Sequence, residues 1–172
     1  VNLGWSYQAL HNYPKAIYYF KKVLNAEPEY LLIQFNLGLV LYHAGRYKES
    51  EDVFLACKEK LPDNVNVLHN LGEVAVKQNR LEQAASYFNA VLAIDGNQSE
   101  SVLSLGELYL TRGQPSKALE YFNKFTLMKP NSPDGFFGLA NIYADQNQPE
   151  KALHNLRLAL QKGFDKIDIL NK

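Results

Sequence analysis

Reactive side chains are few in this chain, and their spacing argues against catalysis. The four histidines, His11, His43, His69 and His154, fall into no metal-ligand pattern such as HExxH. The single cysteine, Cys57, has Val23 and Val91 at 34 residues on either side and Phe125 one step further. A position that tolerates valine and phenylalanine reads as packing, and a structural buried cysteine is inert. Carboxylates are scattered, and no glycine-rich phosphate loop or cofactor motif appears. Primary amides do recur at that step, in Asn2, Asn36 and Asn70. Asparagine is a mediocre helix former, because its side chain competes for backbone hydrogen bonds. It donates and accepts at once, which matches one peptide unit.

The elements that must position these groups follow from the same period. Gly4, Gly38, Gly72 and Gly106 are 34 residues apart, as are Phe20, Phe54, Phe88 and Phe122. Leucine precedes each glycine (Leu3, Leu37, Leu71, Leu105), and a small residue follows twelve later (Ala16, Ser50, Ala84, Ala118). Pro28, Pro62, Gly96 and Pro130 stand eight residues beyond each phenylalanine. A fifth copy runs through Leu139, Ala140, Tyr143, Ala152, Leu156 and Ala159. Within a copy, a wide apolar face such as Phe35, Leu37, Leu39, Val40, Leu41 and Tyr42 predicts one helix. Breakers at Ala44-Gly45-Arg46, Gln78-Asn79-Arg80, Arg112-Gly113-Gln114 and Gln146-Asn147-Gln148 end it, since Gly and Asn tolerate left-handed backbone. A second helix carries the small residue and the Phe four positions apart, on one face. Pro14, Pro115 and Pro149 suit its first turn.

This pattern resembles the tetratricopeptide repeat family, whose helix-turn-helix unit has Leu-Gly, Tyr, Ala, Phe and Pro landmarks. The first copy shows them as Leu3-Gly4, Tyr7, Ala16, Phe20 and Pro28, the fourth as Leu105-Gly106, Tyr109, Ala118, Phe122 and Pro130. Leu41 and Ala75 replace Tyr, Ser50 replaces Ala, Ala140 replaces Gly and Leu156 replaces Phe. The resemblance implies an all-α, right-handed superhelical solenoid of five tetratricopeptide helix-turn-helix repeats. Their bounds would be about 1–30, 31–64, 65–98, 99–132 and 133–163, in a single domain over 1–172. Phe164, Ile167 and Leu170 read as the start of a capping helix, 164–172, of the kind solenoids use to cover a last apolar face. Both ends read as belonging to a longer protein.

The resemblance also places function in a concave groove lined by the first helix of each repeat. There, Asn2, Asn36 and Asn70, with Ser104 in the same column, would hold a peptide backbone, as a similar ladder does in the repeat domain of O-linked N-acetylglucosamine transferase. Selectivity would lie in flanking positions: Phe35, Leu39, Tyr42, His69, Glu73, Leu103, Glu107, Phe137 and Asn141. These read as a groove apolar early and acidic later. The cationic clamp by which chaperone adaptors of the family hold a C-terminal carboxylate is missing. Its columns hold Val1, Trp5, Asn36, Asn66 and Asn70, or Phe35, Leu39, Asn70, Glu100 and Ser104.

Composition narrows the partner. Basic and acidic side chains balance at 18 each, so nothing pulls nucleic acid to the chain as a whole. No apolar run reaches the length of a membrane span. The expected activity is a non-catalytic scaffold that binds a protein or peptide segment, without cofactor or metal. A substrate-recruiting domain of a larger enzyme and a self-assembling homo-oligomer are the alternatives.

Overall fold

The computed structural model describes residues 2–164, the Asn2 side chain excepted, and within them every regular element is a helix. It divides into two compact units, Val1–Ile94 and Asp95–Lys172. The first holds α1 (Asn2–Ala9), α2 (Tyr13–Ala26), α3 (Leu31–His43), α4 (Tyr47–Lys60), α5 (Val65–Lys77) and α6 (Leu81–Ile94). The second holds α7 (Ser99–Thr111), α8 (Pro115–Met128), α9 (Asp134–Asp145) and α10 (Pro149–Gln161). The helices pair into the five expected hairpins. The proposed capping helix lies outside the described residues, apart from Phe164.

Each turn between the two helices of a hairpin closes the same way. A backbone N–H reaches back five residues: Asn12 to Tyr7 O, Arg46 to Leu41 O, Arg80 to Ala75 O, Gln114 to Tyr109 O and Gln148 to Tyr143 O, at 2.8–2.9 Å. The residue before each donor must be left-handed, and Gly45, Asn79, Gly113 and Asn147 take φ between 55° and 73°. In the first hairpin this place falls to His11, with φ 54°, whose ring meets the Tyr13 hydroxyl at 3.1 Å.

The periodic glycines make room for the periodic phenylalanines. A Cβ on Gly4, Gly38, Gly72 or Gly106 would lie 2.4–3.0 Å from the nearest ring atom of Phe20, Phe54, Phe88 or Phe122. Those four rings are 0–2% exposed. Ser50, at the small-residue position, donates its hydroxyl to Gly38 O at 2.8 Å, so its polar atom is satisfied while fully buried. In the fifth hairpin the glycine and the ring are replaced together, by Ala140 and Leu156.

Consecutive hairpins within a unit join through the first helix of the later one. Val67, Leu71 and Val74 of α5 pack on Phe54 and Cys57 of α4, with Phe35, Leu39 and Tyr42 of α3 against the same cluster. In the second unit, Leu139 and Ile142 of α9 pack on Ala118 and Phe122 of α8. Leu3 departs from its column: Leu37, Leu71 and Leu105 are buried, whereas Leu3 is 52% exposed, because no described helix precedes α1.

Candidate functional site

The amides on α3 and α5 are anchored within their own helices. Asn36 Nδ2 donates to Leu32 O, and Asn70 Nδ2 donates to Asn66 O, both at 2.7 Å. Each bond spends one N–H on the carbonyl a turn earlier and fixes the amide's pose on a half-buried surface. Asn2 lies on α1, but its side chain is outside the description. In the second unit, Ser104 occupies this column on α7. In α9 the column holds Gly138, where a Cβ would lie 2.5 Å from the Phe122 ring. Close helix approach decides that residue.

The flanking positions share their surface with the core. Phe35 meets Phe54 edge to face at 5.6 Å, and Leu39 packs on the same cluster. Tyr42 packs edge to face on Tyr47 at 5.7 Å and lies near Glu73, across from α3 to α5. Burial first, and then the Glu73 charge, push its phenol well above the ordinary tyrosine value. His69 lies against Phe88 at 5.5 Å, with Nε2 4.0 Å from Glu73 Oε1. Glu73 therefore sits between a phenol and an imidazole on the first unit's own surface. In the second unit, Leu103 packs on the cluster around Phe122, and Glu107 is exposed on α7. Phe137 stacks on Phe164 at 4.2 Å. It also lines, with Asn141, Ala144, Leu153 and Leu156, a cleft of about 680 Å³ between α9 and α10.

Cys57 is 1% exposed, with Sγ 4.0 Å from Gln34 Oε1, and burial pushes its thiol up. A thiol so placed is a poor nucleophile. Among the described residues, no three His, Cys, Asp or Glu side chains come together as a metal site, and no helix is long and apolar enough to cross a membrane.

Two features escape sequence reasoning. Glu51 of α4, 6% exposed, accepts from Arg80 Nη2 at 2.6 Å and lies 3.4 Å from Lys48 Nζ. The pair ties the second hairpin to the third, and nothing in a periodic pattern announces a contact across 29 residues. The second feature is a hollow of about 280 Å³ between the amino-terminal ends of α3 and α5, lined by Leu31, Leu32, Phe35, Leu61 and Val67 over Cys57. Its lips, Leu32 and Leu61, are 51% and 39% exposed.

Three tetratricopeptide repeat models match the sequence, over residues 1–30, 29–97 and 75–135. No curated protein matches it. Among solved structures, MamA (residues 41 to the end) from Desulfovibrio magneticus RS-1 is similar at 18% identity and a TM-score of 0.82, covering 94% of this chain and 91% of that one. TTC0263, a thermophilic TPR protein in Thermus thermophilus, gives 20% and 0.79, covering 99% and 93%. YrrB, described as a TPR protein with an unusual peptide-binding site, gives 23% and 0.73, covering 99% and 88%. At these identities the likeness concerns the fold.

Proposed function

Because the chain belongs to the tetratricopeptide repeat family, we propose that it is a non-catalytic interaction module whose first helices hold an extended peptide or protein segment. The observation that carries this reading is the matched pose of Asn36 and Asn70. Each amide is fixed by one bond of 2.7 Å to its own helix. Each keeps a second N–H and a carbonyl oxygen, the complement of a peptide unit. Fixing the pose in advance lowers the ordering cost of binding. Phe35, Leu39 and Tyr42 beside Asn36, and His69 and Glu73 beside Asn70, would select among sequences. Leu103, Ser104 and Glu107, and Phe137 and Asn141, would do so on the second unit. The evenly balanced charge supports a protein or peptide partner over nucleic acid.

The test uses octapeptides selected by phage display against the 172-residue chain. Replacing both Asn36 and Asn70 by Ala should weaken a selected peptide by about 1–3 kcal/mol, since each lost bond contributes roughly 0.5–1.5 kcal/mol. Helix content by circular dichroism should be unchanged. Equal affinity of the double variant and the parent would sink the reading.

A further inference from the structure

We infer that the hollow between α3 and α5 is a socket for one uncharged apolar side chain of the bound segment, an inference that rests on the groove reading above. The repeat itself separates what stacking requires from what it does not. Val67 and Cys57 share their columns with Ile33 and Val91, and all four are buried, so their apolar character is accounted for by packing. Leu32 and Leu61 are different. The column of Leu32 holds Asn66, Glu100 and Asp134 in the later copies, and that of Leu61 holds Glu27, Asp95 and Lys129. The column of Leu61 also holds Gly163 in the fifth copy, so no other copy in the chain carries a large apolar residue at either place. Only the second copy sets two large aliphatic side chains there, on facing lips, and both are substantially exposed. Two exposed leucines on the rim of one apolar hollow form a patch rather than a scatter, and such patches mark a contact with something else.

Size and charge fix the occupant. An apolar cavity of about 150 Å³ accepts a benzene molecule, so about 280 Å³ admits a leucine, methionine or phenylalanine side chain. None of the residues lining the hollow is charged, and Lys60, next to Leu61, is ion-paired with Glu29, two residues before Leu31. A charged side chain entering would lose its water and gain no counter-ion from the lining. The socket also shares its helices with the two amides. Phe35 precedes Asn36, and the Asn66 carbonyl that fixes Asn70 belongs to a lining residue. A segment held by both amides would therefore lie along the same two helices as the hollow.

The octapeptides selected as above provide the probe. The inference expects them to share one position restricted to Leu, Ile, Met or Phe, with Asp there lowering affinity at least about tenfold. Leu32→Asp and Leu61→Asp should each cost a similar factor. The loss should vanish for peptides carrying Ala at the shared position, whereas Asn36→Ala with Asn70→Ala weakens both kinds. Leu32→Gln, a milder change, covers the case in which an aspartate disturbs folding. Selected peptides with no apolar position, or unchanged affinity of the Leu32 and Leu61 variants, would overturn the socket and leave the amide groove standing. Selection of no peptide at all would overturn both. A solution mass that rises with concentration and returns to monomer in Leu32→Asp would make a second copy the occupant, and would equally overturn the inference.

Discussion

The second and fifth hairpins are built on one plan and differ at its centre. In the second, Gly38 sits under the Phe54 ring, which is completely buried. In the fifth, Ala140 and Leu156 replace that couple, and the surface they share lines the cleft between α9 and α10. The same contrast appears one turn away. Glu51 of the second hairpin is buried and bonded to Arg80, while Leu153, its counterpart, is 53% exposed. Where the next hairpin packs, the ring needs the glycine and the acid needs its cation. Where no described helix packs, both demands lapse together.

Forcing the fifth hairpin's residue into the second should break this contrast most severely. Gly38→Ala places a Cβ about 2.7 Å from the Phe54 ring, and overpacking of this kind should cost about 3 kcal/mol in urea unfolding. Adding Phe54→Leu should recover part of the loss, since coupled neighbours are not additive. The reverse change, Ala140→Gly, meets no ring of its own hairpin and should cost only about 1 kcal/mol, the helix-interior penalty of glycine. Next in size, Arg80→Ala leaves the buried Glu51 carboxylate with Lys48 alone and should cost about 2 kcal/mol by the same measurement. Leu153→Glu, at the matching exposed place, should change stability by less than about 0.5 kcal/mol.

The smallest effect concerns the turns. In the second hairpin, hydrogen bonds from Arg46 at 2.6 and 2.7 Å hold the Glu49 carboxyl below the ordinary carboxylate range, with the Arg46 and Lys21 charges assisting. In the fifth, Lys151 at the matching place lies over the Tyr143 ring instead, 5.3 Å from its centroid. A carboxyl whose folded pKa is depressed stabilises the fold above its unfolded value and loses that contribution as pH falls through the folded one. Midpoint temperatures measured from about pH 6 down to about pH 2 should therefore fall slightly less steeply in Glu49→Gln than in the parent.

Much of this was legible before any coordinates. Periodicity marks the hairpins, the left-handed turns and the Gly–Phe couples, because all of these recur from copy to copy and depend on local spacing. The burial of Cys57 follows from its column. His11 at a left-handed turn was missed because its residue type breaks the Gly/Asn pattern, although its place keeps the period. What escaped is set by contacts that do not repeat. Whether Asn36 donates to Leu32 or to a neighbour depends on a rotamer, and the Glu51–Arg80 bond, from the second copy to the third, has no equivalent at the matching places of the other copies. The hollow was missed for a related reason. Its lips are informative only once their exposure is known, because leucine in a helical repeat otherwise reads as core.

The phenylalanine of each couple lies sixteen residues after its own glycine, inside one copy, as Phe20 follows Gly4. Duplicating or deleting a whole copy leaves every such couple together, so the gene could lengthen or shorten by unit steps without separating a ring from its glycine. The bond between Glu51 and Arg80 has no such protection, since its halves lie in different copies. Exchange of whole units would conserve the fold and reshuffle the features that tell one copy from another.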